Sequence, residues 1–72
     1  MSRTVKLTAV SEVGATIRRT RKVRRLSLPE LATAAHVGRG TLSKIENGSN
    51  LTIKTLYRLA AALEVTPSSL IR

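Results

Sequence analysis

The apolar positions of this chain change their period once, near residue 8. In residues 1–7, Val5 and Leu7 alternate with Thr4, Lys6 and Thr8, a two-residue period too short to form a sheet alone. This stretch reads as an N-terminal arm that either pairs with its own copy in a dimer or stays without order, leaving residues 8–72 as the folded domain. From Thr8 or Ser11, either of which suits a helix cap, Val10, Val13, Ile17 and Thr20 recur at intervals of three and four. That spacing puts them on one face of a helix, which we expect to end near Arg24 or Arg25. Ser27-Leu28-Pro29-Glu30 has the form of a capping box: the serine hydroxyl accepts from the Glu30 N–H, the glutamate reaches back, and proline suits the first turn. A second helix over Leu28 to Ala35 follows, with Leu28, Leu31, Ala32 and Ala35 inward, stopping at His36-Val37-Gly38.

A third helix runs from Arg39 to about Asn47 with Leu42 and Ile45 inward, and Gly48 leaves it in a left-handed conformation. Thr52 caps a fourth helix whose Leu56, Leu59, Ala60 and Leu63 share one side, and Thr66-Pro67 opens a short fifth containing Leu70 and Ile71. The fold class is therefore all-α, a compact five-helix bundle. About three residues join the second and third helices, too few for antiparallel packing and suited to the sharp crossing of a helix-turn-helix. Leu31, Ala32, Val37, Leu42 and Ile45 meet its core demands, the small Ala32 allowing close approach. His36 is read as a turn residue and not as a metal ligand.

Charge changes the picture from fold to partner. The 72 residues carry 13 Lys and Arg against four acids, a formal charge of +9, so polyanions are the expected partners. Six of these cations fall within Arg18–Arg25. They read either as a stripe facing a nucleic-acid backbone or as a solubilising surface, and on one helix only two or three can meet phosphate. With 42% hydrophobic residues at regular spacing, the chain is not of the disordered class. It has no cysteine, which is compatible with a cytoplasmic location and removes disulfides, thiolate metal sites and thiol catalysis. One histidine and four scattered acids assemble neither a catalytic nor a metal constellation, so neither an enzyme nor a cofactor is expected. The longest apolar stretch, Leu59 to Leu63, argues against a membrane-spanning helix and a conventional secretion signal.

From Val13 to Leu70, about four fifths of the chain, the sequence resembles the Cro/repressor-type helix-turn-helix family of lambda-repressor-like DNA-binding domains. That family includes lambdoid phage repressors, restriction-modification controller proteins and antidote components of toxin–antitoxin pairs. The resemblance rests on Gly14, Ile17, Arg18 and Arg21, then Leu26-Ser27 and Glu30-Leu31-Ala32, then Val37, Thr41-Leu42-Ser43, Ile45-Glu46 and Gly48. Thr55-Leu56, Leu59-Ala60, Ala62-Leu63, Val65, Pro67-Ser68 and Leu70 continue it. It implies a sequence-specific DNA-binding regulator, most often a repressor, acting as a homodimer on a palindromic operator in double-stranded DNA.

Position by position, the resemblance implies that Arg39, Gly40 and Thr41, then Ser43 and Lys44, face the bases. An arginine there can bridge the O6 and N7 of guanine, and Lys44 either reads guanine or takes a phosphate. Gly40 either lets the backbone come close to the bases or leaves a base pair unread. Phosphate contacts are implied at Arg18, Arg21, Leu28, Asn47, Thr52 and Lys54. Leu28 stands where the family has glutamine, so only the N–H groups at the start of its helix can serve. An ion pair between Arg21 and Glu46 is implied, holding the third helix. The dimer surface is expected from Leu51, Val65, Pro67, Leu70 and Ile71, apolar residues beyond the fourth helix that otherwise close the monomer's core, the reading favoured for Leu70. A second function class is an antitoxin-like or adaptor protein whose main partner is a protein such as a toxin. A membrane-active peptide is disfavoured by a single aromatic residue, Tyr57. The near absence of stacking aromatics also disfavours RNA reading.

Overall fold

The computed structural model describes the backbone of residues 2–49 and 51–71, and the side-chain surroundings of residues 12–49 and 51–71. Five helices follow one another: α1 (Ser2–Val23), α2 (Leu28–Ala35), α3 (Arg39–Glu46), α4 (Ile53–Leu63) and α5 (Pro67–Ile71). The main departure from the sequence reading lies at the start. Residues 2–7 continue α1 instead of forming an extended arm, so Thr8 and Ser11 are helix-interior positions. Once the downstream turns exist, each residue added at the end gains a backbone hydrogen bond without a new nucleation cost. The period-two apolar pair is too short to compete. Val10 lies outside the residues whose side chains are described.

The predicted inward positions form the core. Val13 and Ile17 of α1, Leu31, Ala32 and Ala35 of α2, Leu42 and Ile45 of α3, and Leu56, Leu59, Ala60 and Leu63 of α4 are all buried. Leu70 of α5 joins them at 1% exposure. Its assignment to a dimer surface is thereby corrected: the leucine is consumed closing the monomer. Leu51 and Val65 pack half-buried against the same core, Pro67 is half-buried, and Ile71 is exposed. Burying a leucine or isoleucine contributes about 1.5–3 kcal/mol, so this shared core, and not helix propensity, holds such short helices in place. Among the described residues, no helix is long and apolar enough to cross a membrane.

One local device ends four of the helices. At α2, His36 is left-handed (φ 57°, ψ 46°); its N–H donates to the Thr33 carbonyl and that of Val37 to Ala32. This is the Schellman pattern, in which an apolar residue after the turn packs back on the core. The same pairing recurs at Arg25-Leu26, Gly48-Ser49 and Glu64-Val65. Leu26, Val37 and Val65 all lie against the core, so three of the four turns are held by an apolar anchor one residue further on; at Gly48 the following residue is the exposed Ser49. At the α2 N-terminus the expected capping box is present, and the Thr52 hydroxyl accepts from the Thr55 N–H to cap α4.

Candidate nucleic-acid interface

Two faces of α3 have opposite chemistry. Leu42 and Ile45 are buried, while Arg39, Gly40, Thr41 and Lys44 are exposed, Ser43 is half-buried, and Asn47 lies exposed just beyond the helix. The one acid of this helix, Glu46, is turned inward. Its carboxylate accepts from Arg21 Nε at 2.7 Å and Nη2 at 3.0 Å, with side-chain exposures of 11% for Arg21 and 6% for Glu46. Arg21 Nη1 donates to the Leu26 carbonyl at 2.9 Å. Three of the five guanidinium N–H groups are thus spent inside the protein, which makes Arg21 first a brace. The hydrogen bond to Glu46, more than their charge attraction, raises the Arg21 pKa against an opposing burial effect.

Gly14 supplies a second hold on α3. A Cβ at position 14 would collide with the Ile45 carbonyl oxygen and lie 3.2 Å from that of Glu46. The C-terminal end of α3 is therefore packed directly on the backbone of α1, with the Arg21–Glu46 fork beside it. The sequence marks Gly14 as a matching position but gives no sign of this contact, because it joins residues about thirty positions apart.

Arg18, Arg21, Leu28, Ser43, Glu46 and Asn47 line a cleft of about 260 Å³. It gathers four of the residues expected to meet phosphate, and adds Ser43. Arg18 is exposed at its mouth and makes no ion pair among the described residues. Asn47 Nδ2 donates to the Ser43 carbonyl at 3.0 Å, which fixes the amide. Thr52 and Lys54 are exposed at the other end of the motif, the Thr52 hydroxyl being committed to its cap. The anion grip expected from the N–H groups at the start of α2 is narrowed. Glu30 Oε1 accepts the Ser27 N–H at 2.7 Å and Ser27 Oγ accepts the Glu30 N–H, while Pro29 has no N–H. Leu28 keeps the single first-turn donor. Its side chain packs against the core, and the Glu30 carboxylate sits where an anion would dock.

Two features escaped the sequence reading. Arg24 of the basic run pairs with Glu64, Nη1 to Oε1 at 3.2 Å, an exposed contact worth about 0–1 kcal/mol. No local signal links residues 40 apart. Ile53 and Tyr57, one turn apart on α4, are exposed; only their spacing could have flagged them.

The Helix-turn-helix family model matches residues 17–70. Over 51 residues, 71% of the chain, the sequence is 43% identical to a protein of Methanocella arvoryzae named as an HTH-type transcriptional regulatory protein. The chain spans 16% of that protein's length. Among solved structures, the restriction-modification controller protein C.AhdI from Aeromonas hydrophila superposes with a TM-score of 0.82 at 27% identity, covering 85% of this chain and 94% of that one. The master regulator for biofilm formation SinR, solved in complex with DNA, gives a TM-score of 0.78 at 35% identity, covering 83% and 98%. A five-helix bundle with this core and this α2–α3 turn, matched over three quarters of its length, belongs to the Cro/repressor-type helix-turn-helix family of DNA-binding transcriptional regulators.

Proposed function

We propose that the chain is a sequence-specific DNA-binding regulator, acting as a homodimer that lays α3 in the major groove at each half of a palindromic operator. The observation that carries the reading is the outward face of α3. It offers Arg39, Thr41, Ser43 and Lys44 with no carboxylate among them, because Glu46 is folded into its pair with Arg21. Arg39 reads guanine through O6 and N7, a contact worth roughly 1–3 kcal/mol of discrimination. Thr41, Ser43 and Lys44 extend the face along the groove. Arg18 and Asn47 at the cleft, with Lys54 and the backbone at Thr52 on the far side, hold phosphates and fix register without reading sequence. Ile71, together with the half-buried Pro67, Val65 and Leu51, supplies the contact between copies, placing the recognition helices about 34 Å apart. The similarity to SinR, solved in complex with DNA, supports the DNA-binding part of this reading. Repression follows from occupying the operator.

The test is selection of retained duplexes from a random pool at two salt concentrations. A consensus with two-fold symmetry, enriched at both salts, is expected. A pool without enrichment, whose retention vanishes as salt rises, would contradict specific reading and leave a protein partner such as a toxin as the better account.

A further inference from the structure

Gly40 stands in the first turn of α3, on its exposed side between Arg39 and Thr41. Glycine inside a helix has two ordinary internal reasons: a positive φ, or a neighbour where Cβ would sit. Neither holds here. Among the described glycines only Gly48 has a positive φ, and a Cβ at position 40 would meet nothing within 4 Å, in contrast to Gly14. The residue therefore weakens the helix relative to alanine and gains nothing from the described residues around it. A position that merely leaves a base pair unread would be served by alanine, which adds no polar group and favours the helix.

We infer that Gly40 is a specificity-determining position of close approach: the α3 backbone at residue 40 comes nearer to the DNA than a Cβ would permit. The inference rests on α3 being the recognition helix. A methyl group at this point would hold the first turn away from the groove and lengthen the base contacts of Arg39 and Thr41. Hydrogen bonds tolerate only a few tenths of an ångström before they weaken. Phosphate attraction is long-ranged by comparison and survives a small displacement. The substitution should therefore remove preference for sequence while sparing general affinity.

The experiment compares the wild-type chain with Gly40→Ala by thermal melting and by affinity for two duplexes, one that the wild type retains from a random pool and a scrambled one of the same composition. The expected result is a melting temperature about 2–8 °C higher, with affinity for the retained duplex about tenfold lower or worse and affinity for the scrambled duplex unchanged within about twofold. Equal affinity of the two proteins for the retained duplex would overturn the inference alone. A lower melting temperature in Gly40→Ala would also overturn it, by revealing an internal reason for glycine. A wild type that retains no preferred duplex would overturn the recognition-helix reading, and this inference with it.

Discussion

His36 occupies the left-handed region at φ 57°, a conformation that costs an L-residue roughly 1 kcal/mol and glycine nothing. The turn was legible in the sequence because His36-Val37-Gly38 interrupts the helical period. Arg25 and Glu64 share the conformation without any compositional hint; their only marker is the apolar residue that follows each. His36→Gly should stabilise the free protein by about 0.5 kcal/mol, the relief of strain being partly offset by a more flexible unfolded chain, and thermal melting will show a rise of about 2–4 °C. Glu46 is the opposite case. Its removal leaves the Arg21 guanidinium partly buried and without its carboxylate, so Glu46→Ala should cost about 3 kcal/mol in urea unfolding. The double variant Arg21→Met, Glu46→Leu should recover most of that loss, since the penalty lies in the orphaned charge. This pair was expected from the family's pattern, whereas its bidentate form and the third bond to Leu26 come only from the fold.

At the scale of the helices, the start of α2 shows how one sequence signal bears on another. Ser27 and Glu30 form the box that their spacing predicts, and by doing so they occupy two of the backbone donors there and leave that of Leu28. The Glu30 carboxyl is held below the ordinary range, chiefly by the Ser27 backbone N–H and then by the Ser27 side chain, against slight desolvation. A folded-state pKa below the unfolded value means that its stabilisation is fully present above the unfolded value of about 4.3 and lost as pH falls through the folded one. Melting temperature should therefore decline as pH drops through and below about 4, and Glu30→Gln should flatten part of that decline. An unchanged acid limb in Glu30→Gln would show that other carboxylates govern it. The α1 start was misread for a different reason: two alternating apolar residues carry little information against the cooperativity of a helix that is already formed.

Across the whole molecule, the four acids explain where the charge goes. Glu30 caps α2, Glu46 braces α3, and Glu64 pairs with Arg24, leaving exposed Glu12. Among the described cations, only Arg21 and Arg24 are drawn into ion pairs. Of the described cations all but Arg21 are exposed to solvent, and five of them, Arg18, Arg19, Lys22, Arg24 and Arg25, lie on or just after α1. Net charge and the polyanion expectation could be read from composition alone. Which arginines are free could not, because Arg21 and Arg24 find partners 25 and 40 residues away, chosen by packing. For Leu70 the sequence offered both a dimer surface and closure of the monomer's core and favoured the second, which its burial bears out. The central claim is that α3 reads bases and that Arg39 is its principal reader. It is tested most directly by selecting duplexes in parallel with the wild type and with Arg39→Ala. The account predicts that the variant retains the same two-fold consensus relaxed at one base pair in each half, with affinity for the original site lowered roughly 5- to 150-fold. An unchanged consensus and affinity in Arg39→Ala would contradict it.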